Sequence, residues 1–186
     1  MTIRIIDLTA DNEQAIQQAA ELLMIGFRDM APDAWPNMEA ALEEVREALE
    51  PGRICRIALD EAGNVTGWIG GIIGGYDNNV WELHPLVVHP DKQGQGIGRA
   101  LVHDLEAQVK QRGALTLMLG TDDEMNMTSL SGVDLYDNLW DRIRHIRNLK
   151  NHPFSFYEKM GFTIVGVMPD ANGPGKPDIY MAKRLF

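Results

Sequence analysis

The stretch Leu86-Val-Val-His-Pro-Asp-Lys-Gln-Gly-Gln-Gly-Ile-Gly-Arg-Ala-Leu101 decides the fold, because three kinds of local structure follow one another in it. An apolar run typical of a strand ends in a glycine-rich turn, and the turn opens directly into an amphipathic helix. Gly94, Gly96 and Gly98 let backbone amides approach a ligand closely. The first helical amides and the positive end of the helix dipole face the same point. This segment therefore predicts an anion site suited to a pyrophosphate.

The spacing of the glycines separates this turn from two other phosphate-binding motifs. A dinucleotide fingerprint needs Gly-x-Gly-x-x-Gly and usually an acidic residue about 20 positions further on. A P-loop needs Gly-Lys-Ser/Thr, which is missing here. The pattern present is Gln93-x-x-Gly96-x-Gly98.

Outward from this segment, hydrophobic periodicity predicts alternating strands and helices. Strands are predicted at residues 3–8, 53–59, 65–76, 80–89, 115–119, 162–168 and 178–183. Helices are predicted after Asp11 or Asn12, over 38–49, from 97 to 112 and over 153–160, with an irregular to helical stretch at 134–148. Turn sequences at 63–64 and 77–79 make the middle of the chain an antiparallel meander, and the helix from 97 supplies one parallel crossover. The expected class is α/β, a mixed sheet with flanking helices.

Length and composition favour one acidic domain spanning residues 1–186. The chain has 186 residues, 45% of them hydrophobic, which suffices for one substantial core. No run approaches the roughly 20 apolar residues of a membrane helix, and no signal sequence is recognised, so we expect a cytoplasmic protein without a membrane partner. The net charge of −10 repels phosphate backbones and attracts cations, which disfavours nucleic acid as a partner. The single cysteine, Cys55, is expected to be a buried small hydrophobe.

Two motifs together resemble the GNAT (general N-acetyltransferase) superfamily. The first is Gln93-x-x-Gly96-x-Gly98 after a Val-Val strand, and the second is Phe156-Tyr-Glu-Lys-Met-Gly-Phe162. The resemblance implies a splayed mixed sheet with acetyl-CoA between its fourth and fifth strands, and it implies that Tyr157 lies near the CoA sulfur. The residues expected to bind acetyl-CoA are Leu86, Val87, Val88, Gln93, Gly94, Gln95, Gly96, Ile97, Gly98 and Arg99.

A proline inside the predicted fourth strand supports the splayed sheet independently. Pro85 cannot donate a hydrogen bond to a sheet ladder, so the sequence predicts a β-bulge at His84-Pro85. Such a bulge would free backbone amides around Leu86 to bind a thioester carbonyl and the pantetheine arm.

A closer resemblance covers residues 81–183. The segments that carry it are Trp81-Glu-Leu-His-Pro-Leu-Val-Val88, Leu119-Gly-Thr-Asp-Asp123, Asp134-Leu-Tyr136, His152-Pro153 with Phe156-Tyr-Glu-Lys159, Ile164-Val-Gly-Val167, Ala171-Asn-Gly173 and Lys176-Pro-Asp-Ile179. They are similar to the enterococcal-type aminoglycoside 6′-N-acetyltransferases. This resemblance implies an aminoglycoside acceptor and a homodimer, whereas the first 80 residues match only in general layout.

Three residues are candidates for catalysis. An ammonium must lose a proton before it attacks a thioester, and Glu82 is the expected base, unless it only holds the cationic amine. Tyr157 could protonate the leaving thiolate, or its phenol could only pack against the CoA sulfur. His84 could polarise the site or be structural.

Acidic residues after the predicted fifth strand are candidates for holding a polycationic acceptor. Asp122 and Asp123 follow that strand, where α/β sheets usually bind ligands, and Asp134 is a weaker case. The alternative is an exposed acidic turn. We expect no metal, because the five histidines show no ligand spacing.

Two other functions stay open from the sequence. The same CoA motif is compatible with acetylation of a polyamine, a peptide N-terminus or a lysine. A CoA-binding regulatory module without catalysis is the other class, and measurable turnover would exclude it.

Overall fold

The computed structural model describes residues 3–186, which form seven β-strands and five α-helices. In chain order they are β1 (Arg4–Asp7), α1 (Glu13–Phe27), α2 (Met38–Glu47), β2 (Ile54–Leu59), β3 (Val65–Ile73), β4 (Val80–Val88), α3 (Ile97–Gln111), β5 (Thr116–Asp122), α4 (Leu139–Arg144), α5 (Phe154–Lys159), β6 (Thr163–Met168) and β7 (Asp178–Arg184). The sheet is mixed and contains one parallel pair. The predicted mixed α/β class with flanking helices is confirmed.

The chain divides into two compact units, one reaching Leu117 and including Leu185–Phe186, the other comprising Met118–Arg184. The first contains β1 to β4 with α1, α2 and α3, and the second contains most of β5 with α4, α5, β6 and β7. A single domain over 1–186 stays a prediction.

Strands β1, β2, β3 and β4 form the predicted antiparallel meander of the first unit. Strand β3 ends at Ile73, three residues earlier than the sequence predicted. The reason is local: Gly75, Tyr76, Asp77 and Asn78 all have positive φ, so this stretch turns instead of extending.

The predicted bulge is present in β4. Leu86 pairs with Ile69 and Leu83 pairs with Gly71, so His84 and Pro85 together lie opposite the single residue Gly70. Two residues facing one is the defining count of a β-bulge.

Helices cover both faces of the meander. On one face, α1 and α2 bury an apolar core that includes Trp68 and Val87. On the other face, a Cβ added to Gly67 would lie 2.9 Å from the Leu101 side chain of α3, so the absence of a side chain at Gly67 favours the close approach of this helix. Successive residues of β3 therefore point alternately toward α1 and α2 on one face and toward α3 on the other.

Cys55 lies in the core, as predicted. It is 7% exposed, and the indole Nε1 of Trp68 donates a hydrogen bond to its sulfur at 3.0 Å. Burial raises the pKa of the Cys55 thiol to about 12, so it stays protonated at neutral pH.

The second unit places a short helix next to an antiparallel hairpin. β6 and β7 pair antiparallel, with Val167 opposite Ile179, and the strand order in this unit is β5-β7-β6. The predicted helix at 153–160 is observed as α5, and the irregular stretch at 134–148 contains α4. Among residues 3–186, none of the helices has the length and apolarity that a membrane span requires.

Candidate active site

The glycine-rich turn leads from β4 to the N-terminus of α3. Gly94 and Gly96 have φ angles of 74° and 88°, in the left-handed region that favours glycine. Gly96 is the N-cap residue of α3, and no side chain among the described residues caps this helix end. The uncapped first amides of this 15-residue helix suit an anionic ligand, and the anion site itself stays a prediction.

Side chains of the turn fix its conformation. Gln93 donates from Nε2 to the carbonyl of Val88 at 3.4 Å, and Gln95 donates to the carbonyl of Asp91 at 3.3 Å. Ile97 is buried, whereas Arg99 is exposed. Gln93 therefore ties the turn to the end of β4, and Arg99 offers a positive charge beside the helix N-terminus.

The backbone amides of β4 beyond the bulge point alternately toward β3 and away from it. The amide of His89 donates to the carbonyl of Thr66 in β3, so Val87, two residues earlier, also directs its amide toward β3. The amides of Leu86 and Val88 consequently point away from β3. This direction suits the predicted contact of Leu86 with a thioester or pantetheine group, which stays a prediction.

Glu82 lies on β4 just before the bulge. It pairs with Ile72, is half-buried, and shares its face with His84, two residues along the strand. Within the described part of the chain, no hydrogen bond or ion pair engages its carboxylate. Glu82 is therefore available to bind or deprotonate a cationic amine.

His84 contacts α2 through Glu44, a residue that the sequence did not single out. The Nε2 atom of His84 lies 3.6 Å from Oε1 of Glu44, and Nε1 of Trp35 donates to Oε2 of Glu44 at 3.4 Å. The Trp35 and His84 rings are 6.4 Å apart between centroids. The contact between His84 and α2 shows that Glu82 and His84 face the α1 and α2 side of the sheet.

Tyr157 lies in α5 and is buried, 8% exposed. Its ring packs edge-on against Phe156 and Phe162, with centroids 5.1 and 5.7 Å away. Burial raises the pKa of Tyr157 above its ordinary value, so the phenol stays protonated at neutral pH. The hydroxyl can therefore act as a hydrogen-bond donor, and its catalytic role stays a prediction.

The three candidate aspartates differ in what they contact. The carboxylate of Asp123 is fully buried and accepts hydrogen bonds from the amides of Met127 and Thr128, both at 2.7 Å. Asp122 is exposed and accepts from the Asn172 amide, and Asp134 is exposed and accepts from the backbone amide of Tyr136 at 2.9 Å. These contacts give Asp123 a structural role, and they leave Asp122 and Asp134 better placed to meet a soluble cation.

His152 joins the end of β5 to the start of α5. Its Nδ1 accepts from the amide of Phe154 at 3.2 Å, so its Nε2 carries the proton that it donates to the carbonyl of Asp122 at 2.9 Å. The ring is 1% exposed. This contact supports the helix that carries Tyr157.

His152 predicts a pH dependence of stability. Burial lowers the pKa of His152 from its ordinary 6.5. Below pH 6.5 the His152 ring is therefore protonated in the unfolded chain at a pH where it is still largely neutral in the folded chain. The free energy of unfolding is expected to fall between pH 7.5 and 5.5, with at most about 1.4 kcal/mol per pH unit from this group. Urea unfolding of the protein and of His152→Gln measures it. An unchanged pH dependence in His152→Gln would contradict the assignment.

The described residues contain no cluster of metal ligands. Among residues 3–186, no group of three or more His, Cys, Asp or Glu side chains has the geometry to hold a metal ion.

The uncapped N-terminus of α3 follows a bulged strand on which the Glu82 carboxylate has no partner among the described residues, an arrangement that suits a transferase with a phosphate-bearing acyl donor. Residues 12–137 match the Acetyltransferase (GNAT) family, and the chain belongs to this family. The chain accordingly has the GNAT fold, as its motifs predicted.

Solved structures of similar proteins cover nearly the whole chain. An aminoglycoside 6′-N-acetyltransferase complexed with coenzyme A is 41% identical, with 98% of this chain and 97% of that chain covered and a TM-score of 0.88. The aminoglycoside 6′-N-acetyltransferase from Enterococcus faecium is also 41% identical, with the same coverage and a TM-score of 0.86. An aminoglycoside 6′-acetyltransferase type Ii is 34% identical, again at 98% and 97% coverage, with a TM-score of 0.74.

Curated relatives match over shorter stretches and name no acceptor. An acetyltransferase of Sodalis glossinidius is 37% identical over 70 residues, 37% of this chain and 47% of that protein. One from Pectobacterium atrosepticum is 38% identical over 58 residues, 30% of this chain and 41% of that protein. The chain spans less than half the length of these relatives.

Proposed function

We propose that this chain transfers the acetyl group of acetyl-CoA to the 6′-amine of an aminoglycoside and thereby confers resistance to it. The similarity that carries the proposal is the 41% identity, over 98% of the chain, to an aminoglycoside 6′-N-acetyltransferase complexed with coenzyme A. Because the fold alone hosts several acceptors, the substrate has to be tested separately from the fold.

The donor side of the proposed site is the turn between β4 and α3. The amides that follow Gly96 and the dipole of α3 suit the pyrophosphate of acetyl-CoA, and Arg99 adds a positive charge. The amides of Leu86 and Val88, directed away from β3, suit the polar groups of the pantetheine arm and the thioester oxygen.

The chemistry is direct attack of the acceptor amine on the thioester carbonyl in a ternary complex. The new C–N bond forms at the acyl carbon, and the C–S bond breaks as CoA leaves as a thiolate. The amine loses two protons in all. The first goes to Glu82, directly or through water, before or during the attack, and the second leaves the nitrogen as the tetrahedral intermediate collapses and passes through water to the thiolate or back to Tyr157. Tyr157 donates a hydrogen bond or a proton to the thiolate as it leaves.

The acceptor side is acidic, which favours a polycationic substrate. Glu82 has no partner among residues 3–186 and lies on the face that α1 and α2 cover, and Asp122 and Asp134 are exposed acids of the second unit. The net charge of −10 attracts a soluble polyamine at long range. We assign Glu82 to the reacting amine.

Replacing Tyr157 with Phe is expected to lower kcat at least tenfold, since a proton donor to the leaving group contributes roughly 10²- to 10⁴-fold and water can replace part of it. Phe keeps the ring contacts to Phe156 and Phe162, so the fold and KM should change little. Steady-state kinetics at saturating acetyl-CoA measures the effect. An unchanged kcat would mean that the phenol only packs against the CoA sulfur.

Release of the CoA thiol tests the proposed substrate. The panel contains acetyl-CoA with kanamycin, a 6′-hydroxyl aminoglycoside, spermidine or a lysine peptide. Turnover of kanamycin but not of the 6′-hydroxyl compound is expected, because only an amine at this position can attack. Turnover with spermidine or the peptide alone would overturn the acceptor and retain acetyl transfer, the second candidate function. The homodimer and the cytoplasmic location stay predictions.

A further inference from the structure

The carboxylate of Glu44 contacts two aromatic nitrogens at once. Oε2 accepts the hydrogen bond from Trp35, and Oε1 lies 3.6 Å from His84 Nε2. The latter distance exceeds a hydrogen bond but falls within ion-pair range. Trp35 is itself held by Phe27, whose ring centroid is 4.7 Å away in an edge-on arrangement. Glu44 therefore has a fixed orientation beside His84.

The sequence of α2 explains why a carboxylate reaches this position. Ala41, Val45 and Ala48 recur at helical spacing and are buried against the core. Glu44 directly precedes Val45, at the edge of this apolar stripe, and its side chain is 20% exposed. The carboxylate is thus partly shielded from water, where a charge acts more strongly on its neighbour than on an open surface.

His84 is the more exposed partner, with 43% of its side chain accessible. It lies two residues from Glu82 on the same face of β4, so the two side chains neighbour each other. Nδ1 of His84 has no hydrogen-bond partner within the described residues. When Nε2 carries its proton toward Glu44, Nδ1 presents a lone pair to a molecule that binds at Glu82.

We propose that Glu44 is a positioning residue that orients the His84 ring so that Nδ1 accepts a hydrogen bond from the acceptor bound at Glu82. Glu44 acts on the reaction only through His84, as a carboxylate orients a histidine whose other nitrogen binds a ligand. The inference rests on the proposed transfer of an acetyl group to an amine, but it does not depend on which amine is the acceptor.

A double-mutant cycle tests whether Glu44 acts through His84. Glu44→Gln keeps an oxygen for Trp35 and removes only the charge. The cycle combines it with His84→Ala, and kcat/KM is measured for whichever amine of the panel is turned over. Glu44→Gln is expected to lower kcat/KM for the amine about tenfold, with KM for acetyl-CoA unchanged, the lower end of the 10- to 100-fold loss seen when a carboxylate that orients a metal-binding histidine is removed.

In the His84→Ala background, Glu44→Gln is expected to have no further effect on kcat/KM. Additive losses would overturn the proposal, since Glu44 would then act independently of His84. The matched control is Glu43→Gln, the same change at the adjacent exposed position of α2, which should leave kcat/KM unchanged.

A measurement without substrate separates this inference from the proposed function. Two-bond ¹H–¹⁵N spectra of the imidazole rings report tautomer and protonation, and His84→Ala assigns the signal among the five histidines. Glu44→Gln is expected to change the ¹⁵N shifts of His84, and Glu43→Gln is not. Unchanged His84 shifts would overturn the positioning role even if aminoglycosides are turned over. Changed shifts would support it even if another amine proves to be the acceptor.

Discussion

Replacement of Glu82 with Gln is expected to lower kcat/KM for the amine by roughly 10²- to 10⁴-fold, the contribution that a positioned general base typically makes. Gln has nearly the same shape and cannot take up the proton of the attacking ammonium. Because no hydrogen bond or ion pair in the described residues holds the Glu82 carboxylate, the substitution should leave the free energy of unfolding nearly unchanged. The loss would then lie in the reaction itself.

The pH–rate profile separates the two roles of Glu82. A base gives an acidic limb in kcat/KM that Glu82→Gln removes, whereas a residue that only holds the cationic amine gives a raised KM and an unchanged acidic limb. The second result would contradict base catalysis and keep Glu82 as a binding residue. Glu61→Gln, in the exposed turn before β3, is the matched control and should behave like the unmodified protein.

Local signals in the sequence predicted the parts of the site that a short segment can form alone. Gly94 and Gly96 form the predicted turn, with positive φ angles, and α3 begins directly after them. Pro85 predicted the bulge in β4 because it lacks the amide that a ladder requires. Each of these features depends on residues that are neighbours in the chain.

The contact between Glu44 and His84 could not be predicted in this way. The two residues are 40 positions apart, and Glu44 is one of several acids on α2 that look alike in the sequence. Only the packing of α2 on the sheet places this carboxylate beside His84. The signal that could have drawn attention to it is its position at the edge of the apolar stripe.

The difference between the adjacent acids Asp122 and Asp123 could not be predicted from the sequence either. In sequence they are equivalent candidates for binding a cation. In the structure Asp123 points into the second unit and satisfies two amides, whereas Asp122 is exposed. Neighbouring residues at the end of a strand point in opposite directions, and burial then decides which of them can meet a ligand.

The bulge changes which residues of β4 lie on the same side of the sheet. Leu83 pairs with Gly71, which contacts α3, whereas Val87 pairs with Trp68 on the α1 and α2 side. Residues four apart on a regular strand would share a face. The extra residue in the bulge therefore switches the alternation, so that Glu82, before it, and Val87, beyond it, share a side.

Gly70 is the residue on which this switch depends. A Cβ added at Gly70 would overlap severely with the His84 carbonyl oxygen and would lie 3.1 Å from its carbonyl carbon. Because these are backbone atoms inside a paired strand, they cannot move aside as a flexible side chain would. Gly70→Ala is expected to lower the free energy of unfolding by about 3 kcal/mol or more, at the upper end of overpacking effects.

The activity of Gly70→Ala should fall further than its stability alone explains. If the strand relieves the clash by losing the bulge, the register beyond it slips by one residue and the face presented by each side chain reverses. Glu82 and Val87 would then no longer lie on the same side of β4, so kcat/KM should drop at least 100-fold even in the folded fraction. Urea unfolding and kinetics on the same samples measure the two effects.

Gly166→Ala in β6 is the control, since its Cβ would meet only Tyr180 at 3.9 Å and both quantities should barely change. A Gly70→Ala protein as stable and active as the control would show that β4 reaches its geometry without the bulge.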